Sequence, residues 1–167
     1  MPNTTKSTTP SKAARKAAGE IDAIDLLTQD HANVKALFEQ YEGLGERAMV
    51  SKKKLADQIC LELTKHATAE EELFYPPARE AIADGEDLVD EATVEHASAK
   101  DLIAQIQAME ADEELFDAKV KVLSELIEHH VREEEDEMFP KVRKSGLDLV
   151  AIGAAIEARK AEITDLH

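Results

Sequence analysis

The chain of 167 residues is poor in the residue types that build irregular or disulfide-stabilised folds. It has no tryptophan, one cysteine, five prolines and six glycines, and aromatic residues make up 4% of it. Because Cys60 is the only cysteine, an intramolecular disulfide is excluded and a reducing compartment is favoured. Cys60 lies in an apolar helical stretch, which predicts a buried, unreactive thiol. Scarce glycine and proline, with abundant alanine, glutamate, leucine and lysine, favour a helical single domain.

Long apolar runs and a net positive charge are also missing. The sequence has neither the apolar core of a signal peptide nor a run long enough to cross a membrane, so we expect a cytoplasmic protein without a membrane partner. The formal net charge of −16 disfavours nucleic acid as a partner of the folded body. Residues 1–19 differ, because they carry four basic residues and no acidic one, and we expect a disordered basic tail there.

Four long amphipathic segments follow the tail, with apolar residues at three- and four-residue steps. Short links between helices of matched length predict an all-α, up-down-up-down four-helix bundle over residues 20–142. The first helix is predicted to end at Gly43 and Gly45. The second is predicted to begin near Ser51, as N-cap, and to stop at Pro76-Pro77. The third is predicted to follow a short irregular stretch with Gly85, and the fourth to begin near Asp112 and to stop at Pro140.

A fifth helix is predicted at Leu147–Ile163, within an accessory segment of residues 146–164. This segment follows Gly146 and lies outside the internal repeat described next. It carries no ligand-type pattern, so we expect it to pack across the bundle or against a second subunit. The second arrangement would make the protein a homodimer.

Two pairs of segments repeat 64 or 65 residues apart, so the chain contains an internal duplication. Asp30–Gln40 (DHANVKALFEQ) matches Glu95–Gln105 (EHASAKDLIAQ), and His66–Pro76 (HATAEEELFYP) matches His130–Pro140 (HVREEEDEMFP). Each half therefore has one isolated histidine and one His-x-x-x-Glu pair. The residues repeated in register are His31, His66, Glu70, His96, His130 and Glu134.

These repeated residues have the chemistry of metal ligands. A histidine and a glutamate four residues apart lie on one helix face, where an imidazole nitrogen and a carboxylate oxygen can reach the same ion. All six fall on apolar helix stripes, where an unpaired carboxylate costs several kcal/mol unless a cation compensates it. Preservation of packing alone is disfavoured because such residues pack poorly. The duplication predicts two ions, with His31 and His66 on one, His96 and His130 on the other, and Glu70 and Glu134 as bridges.

Several neighbouring residues are also of ligand type but are expected to have other roles. His129 forms its own His-x-x-x-Glu pair with Glu133, yet its counterpart in the first half is Lys65. It lies about 100° from the inward stripe, so we expect it to be exposed. Glu71 and Glu135 adjoin the predicted ligands, and we expect them to support those ligands or to lie on the surface. The terminal histidine, at position 167, has no expected role.

The order of isolated His, His-x-x-x-Glu, His and His-x-x-x-Glu over residues 21–140 resembles the hemerythrin-like family of cation-binding (HHE) domains. The resemblance implies a non-haem di-iron centre inside a four-helix bundle, with the irons bridged by carboxylates and an oxo or hydroxo group. The oxygen carriers of the family have a fifth histidine where this chain has Lys100, and usually His-x-x-x-x-Asp where it has His130 and Glu134. The chain therefore looks closer to the bacterial branch with four histidines and two glutamates.

The ligand count favours oxidant chemistry over reversible oxygen carriage. Two histidines and two shared glutamates give each ion four protein ligands and leave positions open for small molecules. We expect processing of peroxide or dioxygen, including catalase-like peroxide decomposition, with Lys100 either supplying a proton beside the centre or lying on the surface. The alternative is a module that binds, senses or stores dioxygen, nitric oxide or iron without turnover. Zinc or manganese could substitute for iron, whereas a closed structural site is disfavoured because positions stay open.

Overall fold

Residues 20–165 are the part of the chain that the computed structural model describes, and they contain helices but no strand. The all-α fold class predicted from the sequence is confirmed. The predicted basic tail, at residues 1–19, and the terminal histidine lie outside the described residues. None of the helices within residues 20–165 has both the length and the apolar content of a membrane span.

Four helical stretches form the bundle, and a fifth helix follows them. The first stretch is α1 (Ala23–Glu42), which begins with a capping box between Asp22 and Asp25. The remaining elements are α2 (Met49–Ala69), a first π-helical segment (Glu70–Phe74), α3 (Tyr75–Ala81), α4 (Gly85–Ala108), α5 (Phe116–Glu133), a second π-helical segment (Glu134–Met138), α6 (Phe139–Arg143) and α7 (Leu149–Glu162). The second stretch combines α2, the first π-helical segment and α3, and the fourth combines α5, the second π-helical segment and α6.

The prolines predicted to end the second and fourth helices stand inside continuous helical stretches instead. Pro76-Pro77 and Pro140 follow the two π-helical segments and occupy the first positions of α3 and α6. A proline has no amide hydrogen and clashes with the carbonyl four residues before it in a regular α-helix. The π-helical segment changes the hydrogen-bonding register just before each proline, so the chain stays helical. The prediction that both helices stop at these prolines is wrong.

Two predicted helix starts are also wrong. Helix α2 begins at Met49 rather than at Ser51, and the residue in the N-cap position makes no side-chain cap. Helix α5 begins at Phe116 rather than near Asp112. Leu115 has a left-handed backbone with a φ of 76°, which a right-handed α-helix does not accommodate. The helix therefore begins only after Leu115.

The core consists of two apolar clusters that lie at opposite ends of the bundle. Along α1, Leu27 belongs to one cluster and Val34 to the other, with His31 between them. The same order recurs on α2, α4 and α5, so a layer of polar side chains separates the clusters. Cys60 is buried in one of them, as predicted, and burial raises the pKa of its thiol to about 12.

The fifth helix, α7, packs on the bundle. Ile156 is fully buried, and Gly153 comes so close to α1 that a Cβ there would lie 2.8 Å from the backbone nitrogen of Ala23. Arg159 also pairs with Glu72 at 2.8 Å. Of the two arrangements predicted for this helix, the chain adopts the packing on its own bundle, and the homodimer stays a prediction.

Candidate metal centre

The polar layer between the apolar clusters contains four histidines and two glutamates. Each histidine comes from a different helical stretch, and each glutamate is the first residue of a π-helical segment. Their exposed fractions are 8% for His31, 6% for His66, 5% for His96, 5% for His130, 0% for Glu70 and 2% for Glu134. The layer is therefore shielded from bulk solvent, and its polar atoms depend on one another or on a bound group.

The histidines face each other in two pairs with matching geometry. Nε2 of His31 lies 3.2 Å from Nε2 of His66, and the same distance of 3.2 Å separates Nε2 of His96 from that of His130. The ring planes within each pair are inclined by 59°. The pairing agrees with the one predicted from the duplication, and the two halves of the bundle present equivalent donor atoms.

Each glutamate reaches one histidine of each pair. Both carboxylates therefore span the two halves of the bundle, as bridging ligands would. The contacts are those of Glu70 Oε1 with His66 Nε2 and, at 3.8 Å, with His96 Nε2, and those of Glu134 oxygens with His31 Nε2 and His130 Nε2, both at 3.2 Å.

The donor set fits two metal ions. Both carboxylate oxygens of Glu70 and Oε1 of Glu134 are buried without a hydrogen bond of acceptable geometry, although histidine nitrogens lie close to them. Buried carboxylates that converge in this way need a proton or a cation between them, and metal ions would satisfy both carboxylates. Two groups have ligand atoms that all lie within 4.8 Å of one another, namely His31, His66, Glu70 and Glu134, and Glu70, His96, His130 and Glu134.

The electrostatics of the layer also favour positive charge. Although burial lowers the pKa of His66, the Glu70 carboxylate raises it to about 10. Burial likewise lowers the pKa of His130, and the Glu134 carboxylate raises it to about 11. Burial and then the charge of Glu134 raise the pKa of Glu70. Protons or metal ions must therefore balance the two carboxylates.

Two acidic residues that the sequence analysis did not select contact the Nδ1 atoms of histidines, on the side away from the polar layer. Asp30 lies 2.9 Å from Nδ1 of His66, and Glu95 lies 3.2 Å from Nδ1 of His130. A carboxylate on Nδ1 fixes the tautomer that leaves Nε2 free to bind a metal. The signal was available, because Asp30 and Glu95 stand directly before the two isolated histidines and repeat 65 residues apart.

The acidic neighbours of the predicted ligands hold the other two histidines more loosely. Glu71 lies 3.6 Å from Nδ1 of His96, and Glu135 lies 3.6 Å from Nδ1 of His31. Lys100 does not reach the centre, since its side chain is 51% exposed and its ammonium group donates to Glu71 at 2.7 Å. Lys100 is thus a surface lysine that reaches His96 through a carboxylate.

Tyr75 is a site residue that the sequence analysis missed. Its phenol oxygen lies 3.2 Å from Nε2 of His96 and 3.3 Å from Nε2 of His130, and the hydroxyl donates to Glu134. The side chain is buried, and burial together with the charge of Glu134 raises the pKa of the phenol. An oxygen atom therefore stands among the donor atoms of the second histidine pair.

The first histidine pair has a phenylalanine in the equivalent place. Phe139 is the repeat counterpart of Tyr75, and its ring stacks on His31 at a centroid distance of 5.8 Å. The two halves of the centre thus differ by one hydroxyl. The aligned sequences show the Tyr-to-Phe difference, but only the structure shows that the phenol oxygen lies beside His96 and His130.

A small cavity of about 30 Å³ borders all four histidines. Its walls include the apolar side chains of Val34, Leu63, Ile103 and Ile127. The volume suits one or two water-sized molecules. A diatomic molecule or peroxide would therefore fit this volume.

Comparison with known proteins agrees with this geometry. The family model described as hemerythrin HHE cation binding domain matches residues 22–142. The chain is 31% identical over 121 residues to a DNA nickase of Nostoc sp. and 22% identical over 121 residues to an uncharacterized hemerythrin-like protein of Schizosaccharomyces pombe. Each match covers 72% of this chain, which spans 33% of the length of the first relative and 59% of the second.

A solved structure has the same fold. It is the crystal structure of a hemerythrin HHE cation binding domain-containing protein from Mycobacterium kansasii, with a TM-score of 0.72 and 23% identity. The superposition covers 86% of this chain and 87% of that one. Since the family model spans well over half of the sequence and includes all six repeated histidines and glutamates, the chain belongs to the hemerythrin HHE cation-binding domain family.

Proposed function

We propose that this chain is a non-haem di-iron protein that binds and processes a small oxidant, hydrogen peroxide or dioxygen. The observation that supports a two-ion centre is that Glu70 and Glu134 belong to both groups of converging ligand atoms. A centre for a single ion would not need two fully buried carboxylates, each in reach of both histidine pairs. The proposed ligands are His31, His66, Glu70, His96, His130 and Glu134.

When bound, two iron ions would supply the electrons and the Lewis acidity that oxidant chemistry needs. The chain itself orients the ligands. Asp30 and Glu95 each accept a hydrogen bond from Nδ1 of a histidine, so the Nε2 lone pairs of His66 and His130 point into the layer. The apolar clusters on either side exclude water, and the small cavity restricts access to molecules of a few atoms.

Tyr75 is the proposed fifth protein ligand of the ion held by His96 and His130. Donor atoms that bind cis on one ion at about 2.1 Å stand about 3 Å apart. The distances of 3.2 and 3.3 Å from the phenol oxygen to the two histidine nitrogens agree with that separation. The side of the centre with His31 and His66 would offer no phenol oxygen, because Phe139 stands there in the place of Tyr75.

Metal analysis of iron-reconstituted, desalted protein tests the two-ion centre. We expect two iron ions per chain, and loss of iron in His66→Ala but not in the matched control Lys65→Ala. Lys65 is the neighbouring residue on α2, and it pairs with Glu62 at 3.8 Å on the outer face. One iron per fully loaded, folded chain, or equal loss in both variants, would contradict the proposed centre.

Turnover is tested separately from binding. Ferric-loaded protein should decompose hydrogen peroxide to water and dioxygen, and ferrous-loaded protein should consume dioxygen while its iron is oxidised, both faster than metal-free protein with the same fold. The second candidate is binding, sensing or storage of dioxygen, nitric oxide or iron without turnover, and the apolar walls of the 30 Å³ cavity favour it for the two gases. A stable gas adduct without loss of oxidant above the metal-free control would establish that candidate.

The one comparison that suggests nucleic acid as a partner is the relative in Nostoc sp., which is a DNA nickase. We expect no binding by this chain, since its net charge of −16 repels phosphate. Fluorescence anisotropy of a labelled DNA duplex at low salt measures this directly. Saturable binding at micromolar protein would show that the expectation is wrong. The cytoplasmic location stays a prediction.

A further inference from the structure

A second His-x-x-x-Glu pair lies outside the buried centre. His129 is 58% exposed on α5, as predicted, and its Nε2 lies 3.1 Å from Oε1 of Glu133. Across the groove to α4, Glu95 lies 3.7 Å from the same nitrogen. Glu91, one turn before Glu95, completes the group, because ligand atoms of Glu91, His129 and Glu133 all lie within 4.8 Å of one another.

The group brings three carboxylates around one imidazole on two different helices. His129 contacts Glu95 and Glu133, and His130 contacts Glu95 from the inner side, so a divalent cation would add positive charge where three carboxylates meet. One nitrogen and up to three oxygens are a donor set that Zn²⁺, Mn²⁺ and Fe²⁺ accept.

The internal duplication gives an independent reason to expect a cation here. In the first half, the outer carboxylate Asp30 holds His66 on one side and pairs with the ammonium group of Lys160 on the other. In the second half, Glu95 occupies the equivalent position and holds His130. Its outer side faces His129, whereas the outer side of Asp30 faces Lys160 of α7, a helix outside the repeat.

The equivalent surface of the first half cannot bind a metal. Its residues in register with Glu91, His129 and Glu133 are Leu26, Lys65 and Ala69, none of which is a ligand of divalent ions. The second half alone has acquired a complete set of ligand-type residues at these positions. Packing does not explain the set, because these side chains are exposed or half-buried.

We propose that Glu91, Glu95, His129 and Glu133 form a separate surface site for one divalent transition-metal ion. The ion would share Glu95 with His130, so it would lie one carboxylate away from the buried centre. Its solvent exposure makes binding weaker than at the buried centre. The site uses none of the six residues proposed to bind the buried ions.

Calorimetric titration of Zn²⁺ into iron-loaded protein tests the site, with iron content measured before and after. We expect one zinc ion per chain to bind without release of iron, and at least tenfold weaker binding in His129→Ala and in Glu133→Gln. The matched control is Glu128→Gln, which removes the same charge from the same helix at a residue that pairs with Arg132. The control should bind zinc as the unmodified chain does.

Three results would overturn the proposal. The first is that the unmodified chain shows no saturable zinc binding. The second is that zinc binds equally well to the unmodified chain, His129→Ala and Glu133→Gln. The third is that the Glu128→Gln control weakens zinc binding as much as those two variants do. Circular dichroism of each variant verifies the fold, and His129 is exposed enough for its replacement to leave packing unchanged. All variants keep the six residues of the buried centre, so zinc that entered a centre without iron would bind to every variant alike, and only the loss specific to His129→Ala and Glu133→Gln reports on the surface site.

Discussion

Replacing Glu70 by glutamine tests whether the buried carboxylates serve a metal rather than the packing of the bundle. Glu70 is fully buried, both of its oxygens lack a hydrogen bond of acceptable geometry, and Glu134 lies close enough to raise its pKa. Glutamine keeps the shape of the side chain and removes its charge. The substitution should therefore stabilise the metal-free protein and destabilise the metal-loaded protein.

The size of both effects follows from burial. Replacing a buried ion pair by uncharged groups of similar volume is often neutral or stabilising by about 1–4 kcal/mol. His66 remains in the variant, but burial lowers its pKa once Glu70 is uncharged, so the imidazole loses its proton and no unpaired charge stays buried. We therefore expect a gain of about 1–3 kcal/mol. That is roughly 2–12 °C in unfolding temperature for a chain of this size. In the loaded protein, losing a ligand shared by both ions should weaken metal binding about 100-fold or more, or about 2.8 kcal/mol.

Thermal unfolding followed by circular dichroism measures the change in stability, once with chelator and once after iron reconstitution. The matched control is Glu62→Gln, on the outer face of α2, which removes the same charge away from the centre. We expect the order of unfolding temperatures of the unmodified chain and Glu70→Gln to reverse between the two conditions. A shift of the same sign in both conditions would refute the metal-based explanation of the buried carboxylates.

Three further predictions concern substitutions of single residues. Tyr75→Phe should abolish any visible phenolate-to-iron absorption of the ferric protein while iron content is kept, and an unchanged visible spectrum would exclude the phenol as a ligand. Gly153→Ala should lower stability by about 1–3 kcal/mol because its Cβ would lie 2.8 Å from backbone, whereas Gly45→Ala, with nothing within 4 Å, should change little. A hydrogen bond from Tyr41 lowers the pKa of Asp117 from its ordinary 3.8, so its contribution to stability is complete above pH 3.8 and is lost as pH falls through the lowered pKa. Asp117→Asn should therefore lower the unfolding temperature at pH 7 and match the unmodified chain in acid, and a pH-independent difference would refute this.

The helices and the bundle were predictable because apolar periodicity reports which helix faces are buried. The same reasoning failed at Pro76-Pro77 and Pro140, where the usual rule ends a helix at proline. A π-helical segment before each proline keeps the stretch helical, and nothing in local propensity indicates it. The start of α5 was also missed, because the left-handed backbone of Leu115 depends on how the preceding turn packs.

The centre was partly predictable for a different reason. Duplication repeats ligand-type residues in register, which separates His31, His66, His96 and His130 from the exposed His129. Asp30, Glu95 and Tyr75 were missed, although two of them also repeat. Acidic residues are so common in this chain that position alone does not distinguish a carboxylate that holds a histidine from one that faces solvent.

The sequence by itself determined the all-α class, the family and the six residues proposed to hold metal, since these depend on periodicity and on the repeat. Only the tertiary structure decided which atoms meet. It places Tyr75 beside His96 and His130 but Phe139 on His31, so that a nearly symmetric sequence yields an asymmetric centre. The physical reason is that distances of about 3 Å between donor atoms arise from the packing of four helical stretches, which no segment specifies alone.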